Sequence, residues 1–412
     1  MDIVFQDKHR EYSKNDVRFI LSWFSNVFSR PSFRLFSTFI VGFIQLGKEA
    51  HTSSMVQSLA QSYLQRSLSS FTRFLGKSPW TPQGLFQIAL QRFFQVLRIK
   101  ARSILFLIVD DTINEKTGKK IPGCAWYKDH AQQMANVFGH QWVLGAVLYK
   151  DFLLPLTARL YHPKGIRGCG PFQTKITMVK RMIQSLQLPV PCKVYLLADS
   201  WYWAKALVQT CQGRGYHMIS QLKSNSVILL QGQRTKVTQM QANTSAYRQV
   251  SLCLYGKNKT LKIAKFIGTI KGIGKVALVI VKEKRTKVRY LVCTNIHLPA
   301  LEVIKYYAKR WKIEQMIKDL KQCLGFGHYQ VRNLQAIQHH AALALLSYSL
   351  LVFFAILAVS KDKGTTSYMS IRCRAFHVRK HILIENIKIT LRTMRIQFKQ
   401  NILDAYLEKL CP

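Results

Sequence analysis

Acidic side chains are scarce in this chain. Only 19 Asp and Glu stand against 61 Lys and Arg in 412 residues, giving a formal net charge of +42 and a pI near 10.2. The basic residues occur in every segment rather than in one tail. A partner carrying a long array of negative charge accounts for this best. Double-stranded DNA, with one charge per about 1.7 Å of axis, is the leading candidate. Low hydrophobicity, the other mark of a disordered polycation, is missing: 48% of residues are hydrophobic and 11% aromatic, enough to build a core. Closely spaced cysteine pairs are also missing. The nine cysteines are scattered and odd in number, which argues against a zinc site and fits reduced thiols. The first residues, MDIVFQDKHREYSKND, lack an apolar core for a secretory signal, so an intracellular location is expected. No internal repeat is present, which excludes a solenoid.

One long apolar run is there. Residues 341–359, AALALLSYSLLVFFAILAV, meet the length rule for a membrane span. Ser347, Tyr348 and Ser349 interrupt it and basic residues flank both ends, so it gives little orientational bias. A helix buried on all sides in a large core has the same composition. The rest of the chain favours that reading, and no membrane partner is expected.

Along the chain, residues 1–100 read as a helical, DNA-binding domain, and 52–75 could hold a helix-turn-helix with Arg73 on its second helix. GKSPWTPQG at 76–84 marks a turn before another helix. Residues 101–225 alternate apolar strands with two helical segments, describing an α/β sheet with an antiparallel beginning and a parallel continuation. Residues 226–297 read as a β-rich insertion. Residues 298–360 hold a long helix from 299 to about 324 and then the apolar helix, and 361–412 form a basic helical C-terminal region.

In so basic a chain, a carboxylate closing an apolar strand needs a reason. Asp110 and Asp111 end the run SILFLIV, and Asp199 ends VYLLA. Ligand sites in open α/β sheets lie at the carboxyl ends of strands, although an aspartate there can also simply cap the next turn. In YYAKRWKIEQMIKDLKQCLG (306–325), a continuous helix would put Tyr307, Arg310, Glu314 and Lys321 along one stripe beside an apolar stripe of Ile313, Ile317, Leu320 and Leu324. Periodicity alone fits a solvated amphipathic helix equally well.

The spacing Y-x-x-R-x-x-x-E-x-x-x-x-x-x-K at Tyr307, Arg310, Glu314 and Lys321, preceded by IVDDT and LLADSWY, resembles bacterial insertion-sequence transposases of the DDE type. The resemblance is to the branch related to insertion sequence four and covers roughly residues 100–350. It implies an RNase H-like mixed sheet with a β-rich insertion, flanked by helical regions. It also implies a catalytic, metal-binding triad of Asp110, Asp199 and Glu314 that holds two Mg²⁺ ions, with Mn²⁺ as the substitute. Asp111 stays open as the alternative first aspartate, because neighbouring strand residues point to opposite faces and only one of the pair reaches the ions. Tyr307, Arg310 and Lys321 correspond to residues that hold DNA strand ends. Trp201 could stack on a distorted base or pack in the core. Some relatives use an aromatic base pocket in the β insertion; residues 226–295 contain no Trp, which leaves Tyr247, Tyr255 or Tyr290 for such a role. The implied reaction is water attack at the transposon end, followed by attack of the freed 3′-hydroxyl on target DNA. The implied partners are double-stranded DNA, as transposon ends and as target, and a second copy of the chain, in the bacterial cytoplasm at the nucleoid. The competing readings are an inactive or domesticated DNA-binding derivative and another RNase H-like nuclease.

Overall fold

The computed structural model describes residues 17–55, 67–129, 135–166, 169–241, 244–283, 286–359, 370–380 and 382. The chain divides into two compact units: Met1–Arg98, Gly118–Pro122 and Lys318–Pro412 form one, and Ile99–Thr117 with Gly123–Ile317 the other. The first unit is helical. It holds α1 (Val17–Ser22), α2 (Arg30–Leu46), α3 (Thr52–Met55), α4 (Leu68–Lys77) and α5 (Pro82–Val96). The Pro-rich turn does what its chemistry allows: Thr81 caps α5 by accepting from the Gly84 amide, and Pro82 takes the first helical position. The expected helix-turn-helix lies partly outside the described residues; of its second helix, α4 begins after Ser67 and Arg73 is exposed.

The second unit is built on β1 (Ile104–Glu115), β2 (Ala125–Asp129), β3 (Ala135–Tyr149), β4 (Phe152–Tyr161), α6 (Lys175–Ser185), β5 (Lys193–Leu197), α7 (Lys205–Gly213) and β6 (His217–Gln221). β1 is buried on both faces from Leu105 to Val109, as its unbroken apolar run requires in a covered sheet. It pairs antiparallel with β3 and parallel with β5, and β5 pairs parallel with β6. The resulting order β4-β3-β1-β5-β6 makes a mixed sheet consistent with an RNase H-like nuclease fold. β2, too short to announce itself by pattern, pairs with the start of β3.

Beyond β6 come β7 (Val227–Leu230), β8 (Gln233–Lys236), the short α8 (Val237–Met240), β9 (Arg248–Leu254), β10 (Lys257–Ile270), β11 (Gly274–Glu283) and β12 (Arg289–Cys293). These strands do not close a sheet of their own. β12 pairs with β6, so they continue one twelve-stranded sheet, while a local core of Ile228, Val237, Leu278 and Val292 packs beneath them.

The expected long helix is two helices, α9 (Ala300–Ala308) and α10 (Trp311–Cys323). At the break the amides of Lys309, Arg310, Lys312 and Ile313 bond to carbonyls three residues back, which tightens the turn without Gly or Pro. The boundary between the units falls inside α10, so residues 298–360 are shared between them. In the helical unit, α11 (Leu334–Val359) is long and apolar enough to cross a membrane. It packs against α1, α2, α4 and α5, and its Leu343, Leu345, Leu351 and Phe353 are fully buried. Its buried serines are satisfied: Ser347 Oγ donates to the carbonyls of Leu343 and Ile40, and Ser349 Oγ to that of Leu345. Of the basic C-terminal region, only 370–380 and 382 are described, with 371–380 helical.

Candidate active site

The parallel pairing of β1 with β5 sets Ile108 opposite Leu197. Two residues further on, Asp199 lies just past the carboxyl end of β5, beside Asp110 on β1, which has left its pairing with β5 but continues along β3 to Glu115. Asp199 caps the short 3-10 turn Ser200–Tyr202: its Oδ1 accepts from the amides of Trp201 at 3.0 Å and Tyr202 at 3.3 Å. Ser220 Oγ on β6 donates to the Asp199 carbonyl at 2.7 Å.

Asp110 and Asp111 separate by the pleat. Asp110 Oδ2 receives Arg310 Nη1 at 2.9 Å, and Nη2 of the same guanidinium bonds Glu314 Oε1. Asp111 instead meets Lys175 Nζ at 2.7 Å, Gln141 Nε2 at 2.7 Å and the Tyr202 hydroxyl at 3.0 Å. One aspartate therefore faces the Glu314 helix, while the other is fully engaged with α6, β3 and the turn after β5.

Burial pushes the Asp110 carboxyl up to about 7 against the pull of Arg310 and the Asp111 amide, and the charges of Asp111 and Asp199 add to the rise. Burial opposes the Arg310 cation, but Asp110, Tyr307 and Glu314 outweigh it and raise its pKa. Burial likewise takes the Tyr307 hydroxyl up to about 12, with Arg310 lowering it and Asp199 raising it. Tyr307, Arg310, Glu314, Asp110 and Asp199 thus form one electrostatic cluster. Lys321 belongs to the helical unit.

Among the described residues, no three His, Cys, Asp or Glu side chains converge as a ready-made metal cluster. The Arg310 guanidinium lies between Asp110 and Glu314, a positive charge held by two carboxylates. The donors are all oxygens, which suits a hard divalent cation.

Two aromatic groups border the cluster. Trp201 is not in the core: it is 49% exposed, edge-on to Tyr202, with Lys175 Nζ 5.1 Å from its ring centre. Trp203 instead packs on the local core. Of the three tyrosines considered, Tyr290 is buried and donates to Gln241, and Tyr247 packs on the same core beneath Lys282. Tyr255, at the β9–β10 hairpin, is half exposed and lies edge-on to the equally exposed Trp311 at 6.3 Å. Trp311 follows Arg310 directly, and its exposure beside a charged site was a signal no periodicity carried.

A mixed sheet that brings two carboxylates together on adjacent strands, with a third on a helix close by, is consistent with a nuclease-type α/β protein. The sequence model of the DDE superfamily endonucleases matches residues 24–248, and that of the transposase DDE domain matches residues 173–350. The chain therefore belongs to the DDE endonuclease superfamily, and the transposase-domain match over 173–350 supports a DDE-type transposase. The first match spans Asp110 and Asp199, the second Asp199 and Glu314. No curated protein matches the chain.

Proposed function

We propose that this chain is an insertion-sequence transposase of the branch related to insertion sequence four, acting on its own terminal inverted repeats by metal-dependent cleavage and strand transfer. The observation that carries the reading is the Arg310 bridge: one cationic group joins Asp110 and Glu314 beside Asp199, three carboxylates from three elements. Asp110, Asp199 and Glu314 would hold Mg²⁺ or Mn²⁺ as a pair of ions. Bound there, such ions activate an attacking oxygen and stabilise the leaving one.

The chain's own residues supply the rest. Asp110 and Asp199 present their carboxylates from two adjacent interior strands, and Glu314 comes from the first turn of α10. Arg310 can exchange its carboxylate partners for a DNA phosphate, which its planar fork grips bidentately. Tyr307 adds a strand-end contact, and Lys321, in the helical unit, is the fourth residue of the proposed signature. Tyr255 with Trp311, and the exposed Trp201, offer faces on which an unstacked base can rest. Asp111, with its carboxylate already engaged, is not the first ligand in this reading. Synapsis of two transposon ends calls for a homodimer, in the bacterial cytoplasm at the nucleoid.

The test uses the purified chain, its Glu314→Gln variant, Mg²⁺ and a duplex carrying the gene's own flanks. Paired breaks at inverted repeats, absent in the variant while end binding persists, are expected. Binding without breaks in either protein would replace the enzyme with a DNA binder. Loss of binding in the variant would make Glu314 structural.

A further inference from the structure

Asp111 lies one residue from the proposed first ligand, yet its carboxylate is used up inside the fold. Lys175 Nζ and Gln141 Nε2 share Oδ2, and the Tyr202 hydroxyl takes Oδ1. These partners come from three separate elements: the first residue of α6, strand β3, and the turn after β5. Tyr202 is fully buried, and its amide, with that of Trp201, donates to Asp199 Oδ1. Among the described residues no hydrogen bond reaches Asp199 Oδ2. A route of contacts therefore runs from Asp111 through the Tyr202 hydroxyl and its own amide to the Asp199 carboxylate.

We propose that Asp111 and Tyr202 are positioning residues for Asp199. Asp111 anchors the Tyr202 side chain, and the anchored 3-10 turn fixes Oδ1 through its amides so that Oδ2 is presented at the strand end, level with Asp110. The Asp111 amide, donating to Asp110 Oδ1 at 2.9 Å, ties the same residue to the other carboxylate. Asp111 thereby orients both carboxylates without touching an ion. This explains the doubled aspartate: one carboxylate faces the reaction and its neighbour, across the pleat, aligns the pair.

The inference rests on the reading of Asp199 as a metal ligand, and its test separates the two. The full chain is titrated with Mn²⁺ without DNA, following the free ion by electron paramagnetic resonance, alongside Tyr202→Phe, Asp111→Asn, the double variant and Asp199→Asn. Tyr202→Phe keeps the buried ring and deletes only the hydroxyl. Its Mn²⁺ dissociation constant should rise about tenfold, as loss of a partner behind a ligand does, with little change in the unfolding midpoint. The double variant should bind no more weakly than Asp111→Asn alone, because both changes act along one route. A Tyr202→Phe protein that binds Mn²⁺ like the parent, while Asp199→Asn loses the ion, overturns the positioning role and leaves the function reading intact. A lowered unfolding midpoint with unchanged Mn²⁺ affinity also overturns it, making the pair merely structural. An Asp199→Asn protein that binds Mn²⁺ and cuts DNA like the parent removes Asp199 from the site and overturns both.

Discussion

The environment of Asp110 changes its chemistry, and the change has a sign that can be measured. Its carboxyl titrates near 7 in the folded chain against an ordinary 3.8. Between those pH values the native state keeps a proton that the unfolded chain has released. The stability this group contributes is therefore full below about pH 3.8 and is lost as pH rises toward about 7. Thermal melts across that window should show Asp110→Asn gaining on the parent as pH rises; a constant difference would mean the carboxyl is not held protonated. The same proton competes with a divalent ion, so Mg²⁺ affinity should weaken by up to about tenfold per pH unit below about 7. On the flank of the site, Trp311→Ala should remove one face of the aromatic pair with Tyr255. If the pair holds an unstacked base, the variant should bind DNA ends more weakly by about 1–3 kcal/mol. The signal of a fluorescent base analogue at the end should fall with it. An unchanged analogue signal would confine both rings to packing.

At the scale of elements, β1 does two jobs, delivering Asp110 and continuing to Glu115 in register with β3. Gly139 makes that continuation possible: a Cβ there would lie 2.9 Å from the Asn114 carbonyl carbon and 3.0 Å from Glu115 Cα, both backbone atoms. Gly139→Ala should thus destabilise the sheet unit by about 1–3 kcal/mol, read by denaturant unfolding. A neutral result would mean that the strand ends part without penalty. Such close approaches are invisible in sequence, whereas β1, β5 and β6 were legible because unbroken apolar runs ending in polar residues have few other uses. The candidate aspartates stood out for the same reason, a carboxylate at the end of an apolar run, whereas Glu314 was marked only by the helix spacing that carries the family resemblance. The partners of Asp111 were not, since Gln141 and Lys175 lie 30 and 64 residues away and pattern reading sees only neighbours. The break between α9 and α10 also escaped, because no Gly or Pro marks it and the stripe from Tyr307 to Lys321 reads as continuous. Its consequence is local: Arg310 sits at the turn rather than mid-helix, where its fork spans from Asp110 to Glu314.

At the scale of the whole chain, the surplus of 61 basic over 19 acidic residues has to be reconciled with a site built from carboxylates. The two are complementary. A basic chain draws the polyanion in, while the few carboxylates form a local concentration of negative charge that only a cation can bring against a phosphate. Affinity for duplex DNA should therefore be mostly electrostatic, with log K falling linearly in log salt at a slope near −0.9 per phosphate neutralised. A footprint of about six to ten phosphates would lose roughly 10³ to 10⁵ in affinity between about 50 and 200 mM salt. Arg310→Ala discriminates the general field from the site. It should reduce that slope by only about one, as removal of a single phosphate contact does, yet abolish cleavage at the ends. If binding proved insensitive to salt, the charge would serve solubility alone and the DNA reading would lose its broadest support. If Arg310→Ala flattened the slope by several units, the phosphate contacts would be concentrated at the catalytic edge rather than spread over the surface.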